Sequence, residues 1–248
     1  YLPAGYDAKR DGPLPTLLWA YPAEYTDAKV AGQTVDQGNR FVRPRGISHL
    51  FLLTQGYAIL DNPAMPIIGE GGAEANENAV KMARQYTGRF KILSRYRSYH
   101  GGTNLTMNLT GDPRRWSSEP GAPGIIRVMD PQPYSYSFGD TPEQKVDNNL
   151  RMLEEIIQYE NPNSIAAMIC ETVTGTNGVL VPPADYFPRL KALLDKYGIL
   201  LICDEVMAGF GRTGKMMAYE HFGIQPDMVT MAKGLTSSYF PLGAVGMT

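Results

Sequence analysis

The chain has 248 residues, with 23 Lys and Arg against 25 Asp and Glu, a formal charge of −2, and is 43% hydrophobic and 19% charged. That balance excludes an acidic or basic disordered tail and gives no electrostatic case for a nucleic-acid partner, while leaving enough apolar residues for one large core or two small ones. No apolar run reaches the roughly 20 residues that span a bilayer, so no membrane partner is expected.

Residues 1–70 read as strand, loop, strand. Pro13 and Pro15 lead into the apolar run Thr16–Tyr21, which Pro22 ends. The polar stretch that follows carries Lys29, Arg40, Arg43 and Arg45, read as a solvated face. Leu50–Leu53 and Gly56–Leu60 are the next strand candidates, and Pro63 and Pro66 forbid a helix after them.

From Gly71 the pattern changes to alternating helix and strand. Ala73–Tyr86 has Ala75, Ala79, Met82, Ala83 and Tyr86 at helical spacing, with Gly88 as its stop. Phe90–Leu93 and Ile125–Met129 read as strands, and Pro142–Gln158 as a helix with Val146, Leu150, Leu153 and Ile157 on its apolar face. Ile165–Cys170 and Ile199–Cys203 read as buried strands on either side of the helix Ala184–Tyr197, and Met228–Met231 as a last strand. The alternation predicts an α/β fold, a mostly parallel sheet with helices on both faces. Cys170 and Cys203 sit near the ends of buried runs, which suits a reducing cytoplasm better than a disulfide scaffold. Asn104 and Asn108 match the glycosylation pattern, but no secretory signal is legible and the matches read as chance.

Ligands of such sheets sit beyond the carboxyl ends of the strands. Glu171, Asp204 and Lys233 fall at three of those ends. A carboxylate ending a buried strand needs partners, so Asp204 alone reads equally as a salt bridge or a cap. Lys233 alone reads as a surface group; if desolvated, its amine pKa falls and its lone pair becomes available for Schiff-base chemistry. Gly71-Gly72-Ala73 opens a helix and can hold a phosphate on its first amides, or be an ordinary turn. Tyr99 in Tyr99-His-Gly-Gly102 can stack on a flat heterocycle or pack in the core. Together these signals describe a pyridoxal phosphate site, with no metal.

Residues 71–248 resemble the class III aminotransferases of the fold type I pyridoxal phosphate enzymes. The resemblance rests on Gly72-Ala-Glu-Ala-Asn-Glu-Asn-Ala-Val-Lys81, Arg95-Tyr-Arg-Ser-Tyr-His-Gly101, Cys203-Asp-Glu-Val-Met-Ala-Gly-Phe-Gly-Arg-Thr-Gly214, Pro226-Asp-Met-Val-Thr-Met-Ala-Lys-Gly234 and Pro241-Leu-Gly-Ala-Val245. It implies pyridoxal 5′-phosphate as cofactor and Lys233 as its Schiff-base lysine and proton shuttle. It further implies Asp204 on the pyridinium nitrogen, Val206 and Tyr99 on the two ring faces, Gly72 and Ala73 on the phosphate, and Glu171 in the surrounding hydrogen-bonding shell. The implied partners are an amino donor, nearest an ω-amine such as taurine or β-alanine, a keto acid acceptor such as pyruvate or 2-oxoglutarate, and a second copy of the chain in a homodimer or higher oligomer.

Residues 1–70 resemble instead the start of a prolyl-oligopeptidase-type serine peptidase catalytic domain, nearest the glutamyl endopeptidases. Leu2-Pro-Ala-Gly-Tyr6, Leu14-Pro-Thr-Leu-Leu-Trp-Ala-Tyr-Pro22 and Gln55-Gly-Tyr-Ala-Ile-Leu-Asp-Asn-Pro63 carry that likeness, which implies an α/β-hydrolase-like β segment before the sheet and Tyr21 at an oxyanion position. No Gly-x-Ser-x-Gly elbow occurs in the chain, so a working peptidase triad is not expected. A join is expected near Gly69–Gly71, making the chain a chimera with a truncated aminotransferase domain. Poor stability or obligatory association is expected of a sheet that lacks edge strands.

Overall fold

The computed structural model describes residues 5–12, 16–19, 58–61, 71–132, 136–237 and 239–247. The chain divides into two compact units, Tyr1–Ile68 and Gly69–Thr248. In the first, the helical turn α1 (Ala8–Asp11) is started by Asp7, whose side chain accepts from the Lys9 N–H at 2.9 Å. Strands β1 (Thr16–Trp19) and β2 (Ala58–Asp61) pair in parallel, Thr16 opposite Ala58. The expected strand Leu50–Leu53, the basic stretch Lys29–Arg45, Tyr21, Pro63, Pro66 and the join at Gly69-Glu70 lie outside the described residues.

In the second unit, α2 (Gly72–Thr87) ends at Gly88, which adopts the left-handed conformation at φ 67° and returns its N–H to the Arg84 carbonyl. There follow β3 (Lys91–Arg95), α3 (Asn104–Leu109), β4 (Ile125–Val128), α4 (Pro142–Tyr159), β5 (Ile165–Glu171), α5 (Tyr186–Lys196), β6 (Leu200–Asp204), β7 (Met228–Met231) and β8 (Ala244–Met247). The sheet order is β4-β3-β5-β6-β7-β8, parallel throughout except for β8, which runs antiparallel to β7.

Several elements depart from the sequence reading, beginning with α1, a helical turn in a stretch read as strand and loop. Neither α3 nor β8 is expected: α3 is a six-residue helix between the glycines Gly101-Gly102 and Gly111, and β8 holds Gly246 and follows Gly243, so both lack a periodic apolar signal. The expected helix Ala184–Tyr197 begins two residues later, at Tyr186, with Pro188 inside its first turn, where a missing N–H costs no helical bond.

The two faces of the sheet are covered separately. The side chains of α4 and α5 (Val146, Leu150, Leu153, Ile157, Leu190 and Leu194) pack on Leu93, Met168, Cys170, Leu201 and Cys203. On the opposite face, Ala79, Val80 and Ala83 of α2, with Leu109 of α3, pack on Ile92, Ile169, Ile202 and Met228. All seven residues of β5 are buried, as a central strand covered on both faces requires. The buried stripe of α2 is rotated from the expected one: Tyr86 is 80% exposed, while Asn76 and Val80 are buried. A polar residue therefore lies on the core-facing side of α2. Cys170 and Cys203 are register neighbours, free and buried, and burial pushes both thiols up in pKa.

One buried charge holds the segment after β6. The Glu205 carboxylate accepts from the Thr172 hydroxyl at 2.6 Å and from the Ala218 and Tyr219 N–H groups at 2.8 and 3.0 Å. Glu205→Ala leaves two buried donors and one half-buried donor without an acceptor. It is expected to cost about 3 kcal/mol of stability, read as a lower urea midpoint at unchanged slope. Among the described residues no helix is long and apolar enough to cross a membrane, and no group of three His, Cys, Asp or Glu side chains is placed to hold a metal ion.

Candidate active site

The register of three neighbouring strands builds the site. Glu171, the last residue of β5, stands opposite Asp204, the last residue of β6, and Asp204 stands opposite Thr230 of β7. Asp204 shares the sheet face of Ile202, two residues earlier, and this is the face that α2 covers. Its carboxylate is met there by the buried Asn76, whose Nδ2 donates to Oδ2 at 2.8 Å. His100 Nδ1 lies 2.8 Å from the same oxygen, and the Val206 N–H donates to Oδ1 at 3.0 Å.

The partners of Asp204 are themselves fixed. Asn76 also donates to the His100 carbonyl at 2.8 Å and accepts from the Thr230 hydroxyl at 2.6 Å. The His100 N–H donates to Thr110 Oγ1 at 2.9 Å. Because Asp204 Oδ2 is an acceptor, the His100 ring carries its hydrogen on Nδ1, and Nε2 is buried with no hydrogen-bond partner among the described residues. A carboxylate offers about four acceptor sites, and three donors already point at this one. The remaining capacity is on Oδ1.

Glu171 is nearly buried, and its two oxygens accept from the Tyr99 N–H at 3.0 Å and the Gly175 N–H at 2.7 Å. Burial pushes its carboxyl up in pKa and the neighbouring Asp204 adds to the shift, against His100 and those two donors. Lys233 follows β7 with φ 40°, a left-handed conformation unusual for a side chain of this length. Burial lowers the pKa of its amine; Asp204 and Glu171 oppose that shift, and Arg212 reinforces it.

The expected phosphate cradle is built from close approaches. Gly71 caps the start of α2, its N–H donating to the Glu74 carboxylate at 2.8 Å, and Gly72 and Ala73 stand in the first turn, where a helix leaves its amides unpaired. A Cβ at Gly72 would lie 2.9 Å from both Val206 methyl carbons, so the helix start and Val206 touch only because residue 72 is glycine. Gly101, at φ 136°, would place a Cβ 2.5 Å from the Ala73 Cβ. Gly101→Ala strains both backbone and packing, and is expected to cost about 2 kcal/mol of stability and to weaken anion binding at α2, measured by thermal unfolding with and without inorganic phosphate.

The structure thus brings Glu171, Asp204 and Val206 together and places Gly72 against Val206. Tyr99 is tied to Glu171 through its backbone, and Lys233 is within electrostatic reach of both carboxylates. The sequence reading gave no role to Asn76, His100 or Thr230. None carried a signal, since the buried face of α2 that holds Asn76 is rotated from the face the apolar spacing predicts.

The family model described as "Aminotransferase class-III" matches residues 58–248, beginning ahead of the Gly71 start of the sequence resemblance. The taurine–pyruvate aminotransferase of Bilophila wadsworthia is 42% identical over 189 residues, covering 73% of this chain and 41% of that protein. Gamma aminobutyrate transaminase 2 of Solanum lycopersicum is 40% identical over 184 residues, covering 70% of this chain and 40% of that protein. Among solved structures, the taurine:2-oxoglutarate aminotransferase of Bifidobacterium kashiwanohense, in complex with PLP and glutamate, matches with a TM-score of 0.69 and 52% identity, over 72% of this chain and 41% of that one. An (S)-enantioselective omega-transaminase of Thermomicrobium roseum matches with a TM-score of 0.69 and 47% identity, over 72% of this chain and 42% of that one. The chain spans about two fifths of the length of the curated relatives it matches.

Proposed function

The chain belongs to the class III aminotransferases, and from that premise we propose that it provides the cofactor-binding core of a pyridoxal phosphate-dependent transaminase. The amino group passes from an amine or ω-amino acid to a keto acid such as pyruvate or 2-oxoglutarate. The observation that carries this reading is the Asp204 carboxylate at the carboxyl end of a parallel sheet, fixed by Asn76, His100 and Val206 and paired in register with Glu171.

The residues present fit the cofactor. Asp204 Oδ1 keeps acceptor capacity for a ring N–H, residue 72 has no Cβ in the cradle at the start of α2, and Lys233 offers a half-buried amine whose pKa burial lowers. When bound, pyridoxal phosphate would supply a carbonyl that exchanges with amines and a ring that acts as an electron sink. Lys233 binds it and then moves the proton at the substrate carbon through its own Nζ. Asp204 holds the proton on the ring nitrogen. Val206 and Tyr99 would flank the ring and the Gly72 and Ala73 amides would hold the phosphate, while Glu171 orders the Tyr99 backbone. A homodimer or higher oligomer would complete the site, and the exposed aromatics Trp116, Tyr239 and Phe240 are apolar surface that a second copy would cover.

A second reading, a chimera that keeps the motifs without the activity, is favoured by one observation: residues 1–57 lie outside the family match. One experiment separates the two. The protein is incubated with pyridoxal phosphate, reduced with borohydride and mapped by mass spectrometry. The transaminase reading expects a borohydride-sensitive visible band and a pyridoxyl label on Lys233; label scattered over exposed lysines overturns it in favour of the chimera.

A further inference from the structure

Tyr99 is covered on one ring face by a cation. The Arg114 guanidinium carbon lies 3.8 Å from the ring centroid, in stacking contact. Arg114 belongs to the short 3-10 turn Pro113–Ser118, and its position is set from several sides. The buried Asp112 carboxylate accepts from the Arg114 backbone N–H at 3.0 Å and from its Nε at 3.0 Å on each oxygen, and it pairs with Nη2 as well. Arg114 Nη2 also donates to Thr176 Oγ1 at 3.0 Å, and Asn177 Nδ2 donates to Asp112 Oδ2 at 3.2 Å. The preceding Gly111 lies against the Arg95 and Tyr96 backbone with no room for a Cβ, and its N–H donates to the Ser98 carbonyl at 3.2 Å. The path into Arg114 is therefore fixed by the same strand end that carries Tyr99.

We infer that Arg114, locked by Asp112 and Thr176, is a positioning residue for Tyr99: it backs one face of the ring and so holds the other face in the orientation a flat ligand ring needs. This rests on the proposed reading of Tyr99 as the residue that stacks on the cofactor. Two restraints then act on Tyr99 from different directions, Glu171 on its backbone N–H and Arg114 on its ring. The Glu171 loop is bound to the same cation through Thr176, so the shell around the ring is stiffened as one unit. A half-buried tyrosine without such backing samples several ring orientations. Binding a planar ligand then carries the added entropic cost of ordering it.

The test measures affinity rather than turnover. Its probe is 4-deoxypyridoxine 5′-phosphate, which keeps the ring and the phosphate but lacks the aldehyde, so its binding needs no bond to Lys233. Arg114→Met is expected to weaken the probe about tenfold, and Arg114→Lys, which keeps the charge without the planar fork, about threefold. In a Tyr99→Leu background, Arg114→Met is expected to change the affinity less than twofold, because the ring it backs is gone. Thr176→Val removes one hydrogen bond from the guanidinium, and is expected to weaken the probe two- to threefold without disturbing the fold by circular dichroism; it decides the question if Arg114→Met does not fold.

Unchanged affinity in Arg114→Met, or in Thr176→Val where that variant decides, overturns the inference while leaving the functional reading intact. An equal loss with and without Tyr99 overturns it too, because Arg114 then acts on the ligand directly. Failure of the unsubstituted protein to bind either the probe or pyridoxal phosphate overturns the functional reading, and this inference with it.

Discussion

Lys233→Ala is expected to lower the proposed transamination by about 10⁴-fold, the scale of losing both a nucleophile and a positioned proton carrier. The pyridoxyl label should disappear from the borohydride map. Binding of 4-deoxypyridoxine 5′-phosphate should change only slightly, since that probe makes no bond to the amine. Lys233→Arg is not expected to rescue, because a guanidinium stays protonated and has no lone pair to offer. The sign of the pH dependence follows from the surroundings. Burial lowers the amine's pKa, so at a given pH below the ordinary lysine range more of it is unprotonated than for an exposed lysine. In the cofactor-free protein, Lys233 should therefore be labelled by an amine-reactive reagent at a lower pH than the exposed Lys196. Labelling of both with the same pH midpoint would contradict the desolvated geometry.

Asp204→Asn is expected to reduce turnover by about 10²- to 10³-fold, the range in which a lost electrostatic partner of the reacting group falls. Two losses combine. An amide cannot stabilise a protonated ring nitrogen as a carboxylate does. It also offers one oxygen where three donors converge: with that oxygen toward Asn76 and His100, the new NH2 faces the Val206 N–H. The substitution has a second, measurable signature. Asp204 raises the Lys233 pKa, so removing its charge should lower that value further and shift the labelling midpoint of Lys233 to still lower pH. His100→Asn, which can still donate near the Nδ1 position, should retain more activity than His100→Ala. Equal losses in both would show that the His100 hydrogen bond is not what steadies Asp204.

The resemblance to serine peptidases rests on sequence motifs alone. Its motifs fall on residues 1–63, where the described elements are the turn α1 and the parallel pair β1 and β2. The family match begins inside that stretch, at residue 58. The aminotransferase motifs, by contrast, coincide with the elements that carry the site: α2 and the Tyr99 loop, then the ends of β6 and β7.

From the sequence alone, the apolar runs of β5 and β6, the helical spacing of α4 and the Gly88 stop were legible. Each depends on local periodicity or on one residue's backbone preference. The positions of Glu171, Asp204 and Lys233 at strand ends followed from the same runs. What only the tertiary structure decided was the partnership of those groups. Asn76 meets Asp204 across 128 residues and Thr230 across 154, contacts that exist because the strand order places β6 and β7 side by side beneath α2. Sequence periodicity shows that a helix has a buried face but not which strand end that face covers. The one polar residue in the stripe acquires its role only when the carboxylate beneath it is in place. Arg114 is the same case in stronger form: nothing in its neighbourhood along the chain distinguishes it from Arg115, and only the path of the turn after α3 brings one of the two onto the Tyr99 ring.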